Sequence, residues 1–325
     1  MIDTSNPEIK FAIEAVRTAS TLVKMIQAEM VSPALTKDDR SPVTVADFAA
    51  QALVGHLLTE SFPQDALIGE EDSATLRTPG ESSTLERITS FMDRFVPGAT
   101  PGLVCDWIDR GSAEAAPRYW TLDPIDGTKG FLRGDQYAVA QALFYAGQVQ
   151  VGVLGCPKLA LGDTEGVVLA AARGQGTWMT AIEGESHFRQ VQVSPQVDPT
   201  QARLLRSFES GHTNVSQIDI FAQELGVTTD PVRMDSQAKY AVLAAGGGEI
   251  YLRLLSANRL DYREKIWDQA AGSIVIEEAG GRVTDLQGKH LDFSRGRTLA
   301  QNRGICATNG VLHAQTLAAL KAIGA

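Results

Sequence analysis

The sequence predicts a layered α/β protein, and three observations carry that expectation. An amphipathic helical pattern opens the chain, short apolar segments punctuated by glycine fill its middle, and strands alternate with helical segments in its last third. At 325 residues the chain exceeds one ordinary core of about 100–200 residues. Two domains are therefore expected, 1–195 and 196–325.

Each element has a local reason. Asn6 followed by Pro7 reads as an N-cap with proline at the first helical position, and Ile9, Ile13, Val16, Val23 and Ile26 fall on or near one stripe of a helix ending near Met30. A second helix is expected from Thr44 to Phe62, with Leu53, Leu57 and Leu58 on its apolar side. Residues 73–117 carry Pro79-Gly80-Glu81-Ser82-Ser83 and Pro97-Gly98 and read as a largely polar insertion with one helix, around Leu85 to Phe95. From Tyr137 to Trp178, apolar runs at 138–146, 149–154 and 167–171 are separated by Gly147-Gln148 and Gly174-Gln175-Gly176, the pattern of antiparallel strands joined by hairpins. Beyond Pro195, the segments 202–208, 238–243, 250–254 and 311–323 alternate as in a smaller α/β unit.

Composition narrows the function classes. No apolar run approaches the ~18 residues of a membrane span, and Met1-Ile2-Asp3-Thr4-Ser5 lacks a basic stretch leading into an apolar one, so a cytoplasmic protein with no membrane partner is expected. Cys105, Cys156 and Cys306 are far apart and odd in number, which argues against a disulfide framework and a cysteine zinc site and predicts small core residues. A net charge of −10 disfavours a polynucleotide partner, although bound cations could still let an acidic chain hold phosphates. No Gly-x-x-x-x-Gly-Lys-Ser/Thr loop is present, and Gly246-Gly247-Gly248 has the wrong spacing for a dinucleotide fingerprint. The five histidines form no His-x-x-x-His pair.

The densest chemistry lies in Trp120-Thr121-Leu122-Asp123-Pro124-Ile125-Asp126-Gly127-Thr128-Lys129-Gly130-Phe131. An apolar strand is expected to end at Asp123, and the proline then forces an extended turn that can aim Asp123, the Ile125 carbonyl and Asp126 at one point. Hard oxygen ligands in that arrangement suit magnesium, and Gly127 and Thr128 could cradle a phosphate with backbone amides. Glu70-Glu71-Asp72 is a second acidic group whose mutual repulsion favours a cation among them, or else an ordinary solvated loop. Asp268 reads as a ligand or as an N-cap of a helix from Gln269 to Glu278 that stops at Gly280-Gly281. Asp47 reads as a site residue or as the acid of a capping box begun by Thr44.

Four motifs in order, Asp47 within Ser41-Pro42-Val43-Thr44-Val45-Ala46-Asp47, Gly69-Glu70-Glu71, Asp123-Pro-Ile-Asp126-Gly-Thr128 and Trp267-Asp268-x-Ala-Ala-Gly272, resemble the inositol monophosphatase superfamily over about residues 37–285. Within it, the insertion ending in Ile108-Asp109-Arg110-Gly111 is similar to that of the 3′(2′),5′-bisphosphate nucleotidases. So are Gly130-Phe131-Leu132-Arg133-Gly134, Asp235-Ser236-Gln237-x-Lys239-Tyr240, Ile250-Tyr251-Leu252-Arg253-Leu254 and Glu264-Lys265-Ile266-Trp267-Asp268.

The resemblance implies an α-β-α-β-α sandwich, with two helices on an antiparallel sheet followed by an α/β domain. It implies a lithium-sensitive hydrolase of a small nucleotide bisphosphate, using two to three Mg2+ ions. Glu70, Asp123 and the carbonyl of Ile125 would hold one ion, Asp123, Asp126 and Asp268 a second, and Glu70 would help hold a third. Asp47 and Thr128 would orient and deprotonate the attacking water, and Gly127 and Thr128 would contact the scissile phosphate. Ser236, Lys239 and Arg253 would meet the second phosphate and His212 the base, although Val215 stands where such sequences often carry a further histidine. The expected substrate is 3′-phosphoadenosine 5′-phosphate. The alternatives are 3′-phosphoadenosine 5′-phosphosulfate, an inositol bisphosphate, or binding without turnover.

Overall fold

The computed structural model describes residues 1–31, 41–208, 215–255 and 261–325. Helix α1 (Pro7–Met30) starts where its cap dictates: Ile9 N–H donates to the Asn6 side chain at 3.0 Å, and Pro7 opens the first turn. Its inner face of Val16, Ala19, Leu22, Val23 and Ile26 is fully buried, and truncating one of the larger of these to alanine would cost about 2–5 kcal/mol. Helix α2 (Ser41–Ser61) begins at least three residues before Thr44. Thr44 therefore cannot be its cap, and the capping-box reading of Asp47 is corrected: Asp47 sits inside the helix.

Strand β1 (Ala66–Gly69) is followed by α3 (Ser82–Asp93) and α4 (Pro101–Asp109). The insertion thus holds two helices rather than one. The second was hidden behind Pro97-Gly98, although Thr100 caps it by accepting from Leu103 N–H at 3.4 Å and Pro101 opens it. Then come β2 (Arg118–Asp126), α5 (Thr128–Arg133), β3 (Ala138–Tyr145), β4 (Gln148–Leu161), β5 (Thr164–Ala172), β6 (Gly176–Ala181) and β7 (Arg189–Val191). These seven strands form one sheet in sequence order. All its pairs are antiparallel except β1–β2, which is parallel, so the expected antiparallel sheet is in fact mixed at its edge.

The rest of the chain supplies β8 (Leu204–Arg206), α6 (Val215–Leu225), β9 (Val232–Arg233), α7 (Ala238–Ala244), β10 (Ile250–Arg253), α8 (Ala270–Glu278), β11 (Arg282–Thr284), β12 (Ile305–Thr308) and α9 (His313–Ala322). Its strands form a second sheet in the order β11-β12-β10-β8-β9. Helices α1 and α2 cover the outer face of the large sheet, α7 and α8 touch both sheets, and α9 packs on the small sheet beside α6. Three apolar clusters fill the gaps between these layers, which makes the α-β-α-β-α sandwich a direct consequence of where the apolar stripes lie.

Helix α8 is apolar nearly all round because it is the middle layer, with Ile274, Val275 and Ile276 fully buried. A Cβ on its Gly272 would stand 2.4 Å from the Tyr240 ring, so glycine is what lets α7 and α8 approach. The three cysteines are buried and free. No helix among the described residues is long and apolar enough to cross a membrane.

Candidate active site

The site is built where β1 and β2 end side by side. Their register pairs Gly69 with Leu122, so Glu70, one residue beyond β1, emerges next to Asp123. Strand β2 does not end at Asp123 but continues to Asp126. Between them Asp123 pairs with Ala140 and Asp126 with Ala138, three residues on β2 against two on β3, which is a one-residue bulge. In a regular strand residues three apart face opposite sides; the extra residue at Pro124-Ile125 brings Asp123 and Asp126 to the same cavity. Gly127 then turns the chain at φ 96°, and its missing side chain leaves room for Ser236, whose Cβ would lie 2.7 Å from a Cβ there.

That cavity, of about 400 Å³, is lined among others by Glu70, Asp123, Ile125, Asp126, Gly127, Thr128, Ser236, Lys239, Arg253 and Asp268. The Ile125 side chain is packed in the core at 2% exposure, so what this residue can offer the cavity is its backbone. Asp268 precedes α8, whose N-cap position is Gln269, so its carboxylate is not spent on a cap and the N-cap reading is corrected. Two cavities elsewhere, of about 460 and 580 Å³, are no smaller. Their acidic residues each pair with an arginine, Glu29 with Arg94 and Glu277 with Arg173, and neither gathers a carboxylate cluster among the described residues, so chemistry rather than size singles out the first.

The acidic end is electrostatically unbalanced. Burial raises Asp123 well above the usual carboxylate range, and Glu70, Asp126, Asp268 and Asp47 push it further. Asp268 is raised by burial and by Asp126, and Asp47 by burial and by Glu71 and Glu70. Glu70 stands at the exposed mouth of the cavity yet is raised to about 7, first by loss of water around the carboxylate and then by Glu71 and Asp126. Asp123 Oδ1 is buried with no hydrogen-bond partner. Among the described residues no three of these carboxylates are gathered at metal-holding distance. The donor set is oxygen only and carries an orphaned buried carboxylate oxygen, which fits a hard divalent cation such as magnesium.

The Glu70 turn is braced from behind. Fully buried Gln51 donates to the carbonyls of Glu71 (2.5 Å) and Ile108 (2.9 Å) and accepts from Glu71 N–H (3.0 Å). Arg297 donates to the Gly69 carbonyl while its guanidinium lies 4.8 Å from the Trp267 ring, so one cation ties the residue before Glu70 to the residue before Asp268.

The opposite wall is basic and largely paired, although Arg253 Nε is buried without a hydrogen-bond partner among the described residues. Lys239 is buried in α7 rather than solvated, 5.2 Å from the Tyr251 ring, with its Nζ donating to the Met234 carbonyl at 3.4 Å. Burial lowers its ammonium to about 8, with Asp126 opposing and Arg253 adding to the fall. Arg253 pairs with Glu264 at 2.8 Å. Burial is the largest single influence and works against its charge, but Glu264, Tyr251 and Asp268 together hold its pKa raised. Ser236 accepts from Ala238 N–H at 3.1 Å.

All the expected metal and phosphate residues thus face or adjoin one cavity, except His212, which lies outside the described residues. Asp47 reaches the cluster through its charge, and no hydrogen bond joins it to Thr128 among the described residues. Sequence reasoning gave no role to Gln51, Asp235, Gln237, Glu264 or Arg297. Asp235, Gln237 and Glu264 stand inside quoted motifs, whereas nothing local marks Arg297.

The family model for the inositol monophosphatase family matches residues 5–325. The chain belongs to the inositol monophosphatase family. A protein of Emericella nidulans named 3′(2′),5′-bisphosphate nucleotidase is 39% identical over 95% of this chain and 96% of its own length. Namesakes in Oryza sativa and Schizosaccharomyces pombe are each 42% identical, over 97% and 92% of this chain and 93% and 91% of their own lengths. Among solved structures, the Thermotoga maritima IMPase superposes with a TM-score of 0.65 at 21% identity over 98% of both chains. An Anabaena inositol monophosphatase gives 0.61 at 21% identity, over 97% of this chain and 95% of its own. The inositol monophosphatase fold is thereby shared at low identity, while the nucleotidases share far more of the sequence.

Proposed function

We propose that the protein is a magnesium-dependent 3′(2′),5′-bisphosphate nucleotidase that hydrolyses the 3′-phosphate of 3′-phosphoadenosine 5′-phosphate to give AMP and phosphate. One observation carries the reading. A single cavity opposes an unbalanced carboxylate cluster to Lys239 and Arg253, the arrangement needed to hold cations at the reacting phosphate and a second anion at a distance. The nucleotidase names of relatives 39–42% identical over nearly the whole chain support the same choice.

Glu70, Asp123, the Ile125 carbonyl, Asp126 and Asp268 would hold two to three magnesium ions. When bound, these supply Lewis acidity to the attacking water and to the departing oxygen. Asp47, whose carboxylate is more readily ionised once the charge of Glu70 and Glu71 is neutralised, would take the proton of that water with Thr128 orienting it. Gly127 and Thr128 would cradle the scissile phosphate. Ser236, Lys239 and Arg253 would hold the 5′-phosphate, which takes no part in the chemistry and serves to fix the 3′-phosphorus in place. The test is phosphate release from a panel comprising 3′-phosphoadenosine 5′-phosphate, its 5′-phosphosulfate, inositol bisphosphates and 3′-AMP, with magnesium and with chelator. The nucleotidase reading expects the first to be turned over fastest and only with metal. Preference for an inositol bisphosphate, or full activity in chelator, would reject it.

A further inference from the structure

Ser236 holds a φ of 66°, a left-handed conformation uncommon for a residue with a side chain. The next peptide N–H, that of Gln237, donates to Asp126 Oδ2 at 2.7 Å. The Gln237 side chain is 2% exposed and engaged at both ends: Nε2 donates to the Trp267 carbonyl at 3.1 Å, and Oε1 accepts from Gly272 N–H at 3.3 Å. One residue therefore touches the carboxylate of Asp126, the peptide that leads into Asp268, and the first turn of α8.

We propose that Gln237 is a positioning residue that fixes Asp126 relative to Asp268, and so sets the affinity of the site for its divalent cation. This rests on the metal reading of the same cavity. The chemistry selects an amide. A carboxylate would turn an acceptor toward the Trp267 carbonyl, and an apolar side chain would orphan both that carbonyl and the Gly272 N–H. The frame on which Gln237 acts is rigid, because Tyr240 one turn along α7 packs directly on Gly272 of α8. With one of its oxygens held by the Gln237 N–H, Asp126 is restricted in how it can turn.

The test is calorimetric titration of the full-length metal-free protein with magnesium, for wild type, Gln237→Met and Gln237→Asn, with melting temperatures in chelator. Methionine keeps the length and removes both polar ends. Asparagine keeps both ends but is too short to span them, and it guards against a methionine variant that fails to fold. Magnesium affinity is expected to fall about tenfold or more in each folded variant. The magnesium dependence of turnover should move by the same factor, and KM at saturating magnesium should stay near wild type. A lower melting temperature with unchanged magnesium affinity would show a merely structural role and overturn the proposal. A wild-type chain that binds no magnesium would overturn the metal reading and this inference with it, whereas binding by wild type and variants alike overturns the inference alone.

Discussion

The two ends of the cavity handle charge in opposite ways. At the acidic end Glu70, Asp123, Asp126 and Asp268 face one another, and among the described residues Asp123 Oδ1 has no hydrogen-bond partner. At the basic end Arg253 is paired with Glu264 and Lys239 is laid against Tyr251. The acidic end therefore holds charge that an external cation must balance. At the basic end Arg253 already has the Glu264 carboxylate as its partner, so a phosphate bound there as proposed would compete with Glu264 for it. Stability is traded for cation affinity at one end, while the other gains a binding surface without an unpaired buried charge.

The largest effect expected from this contrast is at Asp123, which is 2% exposed. Asp123→Asn should lower magnesium-dependent phosphate release by about a thousandfold or more, since several kcal/mol of transition-state stabilisation pass through the cations. The same variant should melt at a higher temperature than wild type in chelator, because a buried unpaired charge has gone. A variant that kept its activity and melted lower would reverse the contrast.

At the other end, Lys239→Ala and Arg253→Ala each remove a charge-assisted contact worth roughly 1.5–3 kcal/mol, a loss of about tenfold or more in kcat/KM for 3′-phosphoadenosine 5′-phosphate. Hydrolysis of 3′-AMP, which has no 5′-phosphate, should be nearly unchanged. Arg253→Ala should also destabilise the fold, because it leaves the Glu264 side chain, 5% exposed, without its cation. Equal losses on both substrates would move these residues away from the second phosphate.

A third effect is in the pH dependence of the metal-free chain. Asp47, Asp123, Asp268 and Glu70 are all raised by burial and by neighbouring carboxylates, Glu70 from 4.5 to about 7. The folded chain then keeps protons that the unfolded chain has released, so stability in chelator should fall as pH rises from about 4.5 to about 7. His313, lowered from 6.5 to about 4 by burial, works in the opposite direction over part of that window. Melting curves with and without magnesium separate the two, because saturating magnesium should remove the downward slope and leave the His313 contribution. Parallel curves would mean that the cluster does not meet the metal.

The smallest effect is expected at Arg297, which supports the Glu70 turn and touches nothing on the basic wall. Arg297→Met should raise the magnesium concentration needed for half-maximal rate by a few-fold, less than the roughly 10–100-fold typical of groups bonded directly to metal ligands, because Arg297 holds only the backbone beside Glu70. It should leave the preference for bisphosphate over 3′-AMP intact. A change in that preference would show that the two ends are coupled through the Trp267 segment.

Much of this was legible from particular residues. Asn6-Pro7 announced α1, glycine-punctuated apolar runs announced β3 to β5, and the Asp123–Thr128 string announced the chemistry. The misreadings share a cause. Thr44 looked like a cap because a cap is recognised by side-chain type, whereas the helix start is decided by backbone hydrogen bonds that reach back to Ser41. Helix α4 was passed over because Pro97-Gly98 reads as a loop and nine residues, Pro101–Asp109, are too short to be stable alone and rely on packing against α2. That Lys239 is buried rather than on a solvated helix face could not be read from the chain, since burial of an ammonium leaves no local mark.

By itself the sequence determined which atoms are available: the hard oxygen donors, the cations Lys239 and Arg253, the glycines where close approach is needed, and the apolar stripes that order the layers. Those are properties of residue type and spacing, and they survive without knowledge of neighbours. Only the tertiary structure decided how the charges are balanced. The bulge at Pro124-Ile125, the β1–β2 register, the Arg253–Glu264 pair, and the struts at Gln237 and Arg297 join residues up to 228 positions apart, Gly69 with Arg297. The strength of a charge depends on the water and partners removed from around it. Those are set by packing, and no local pattern carries them.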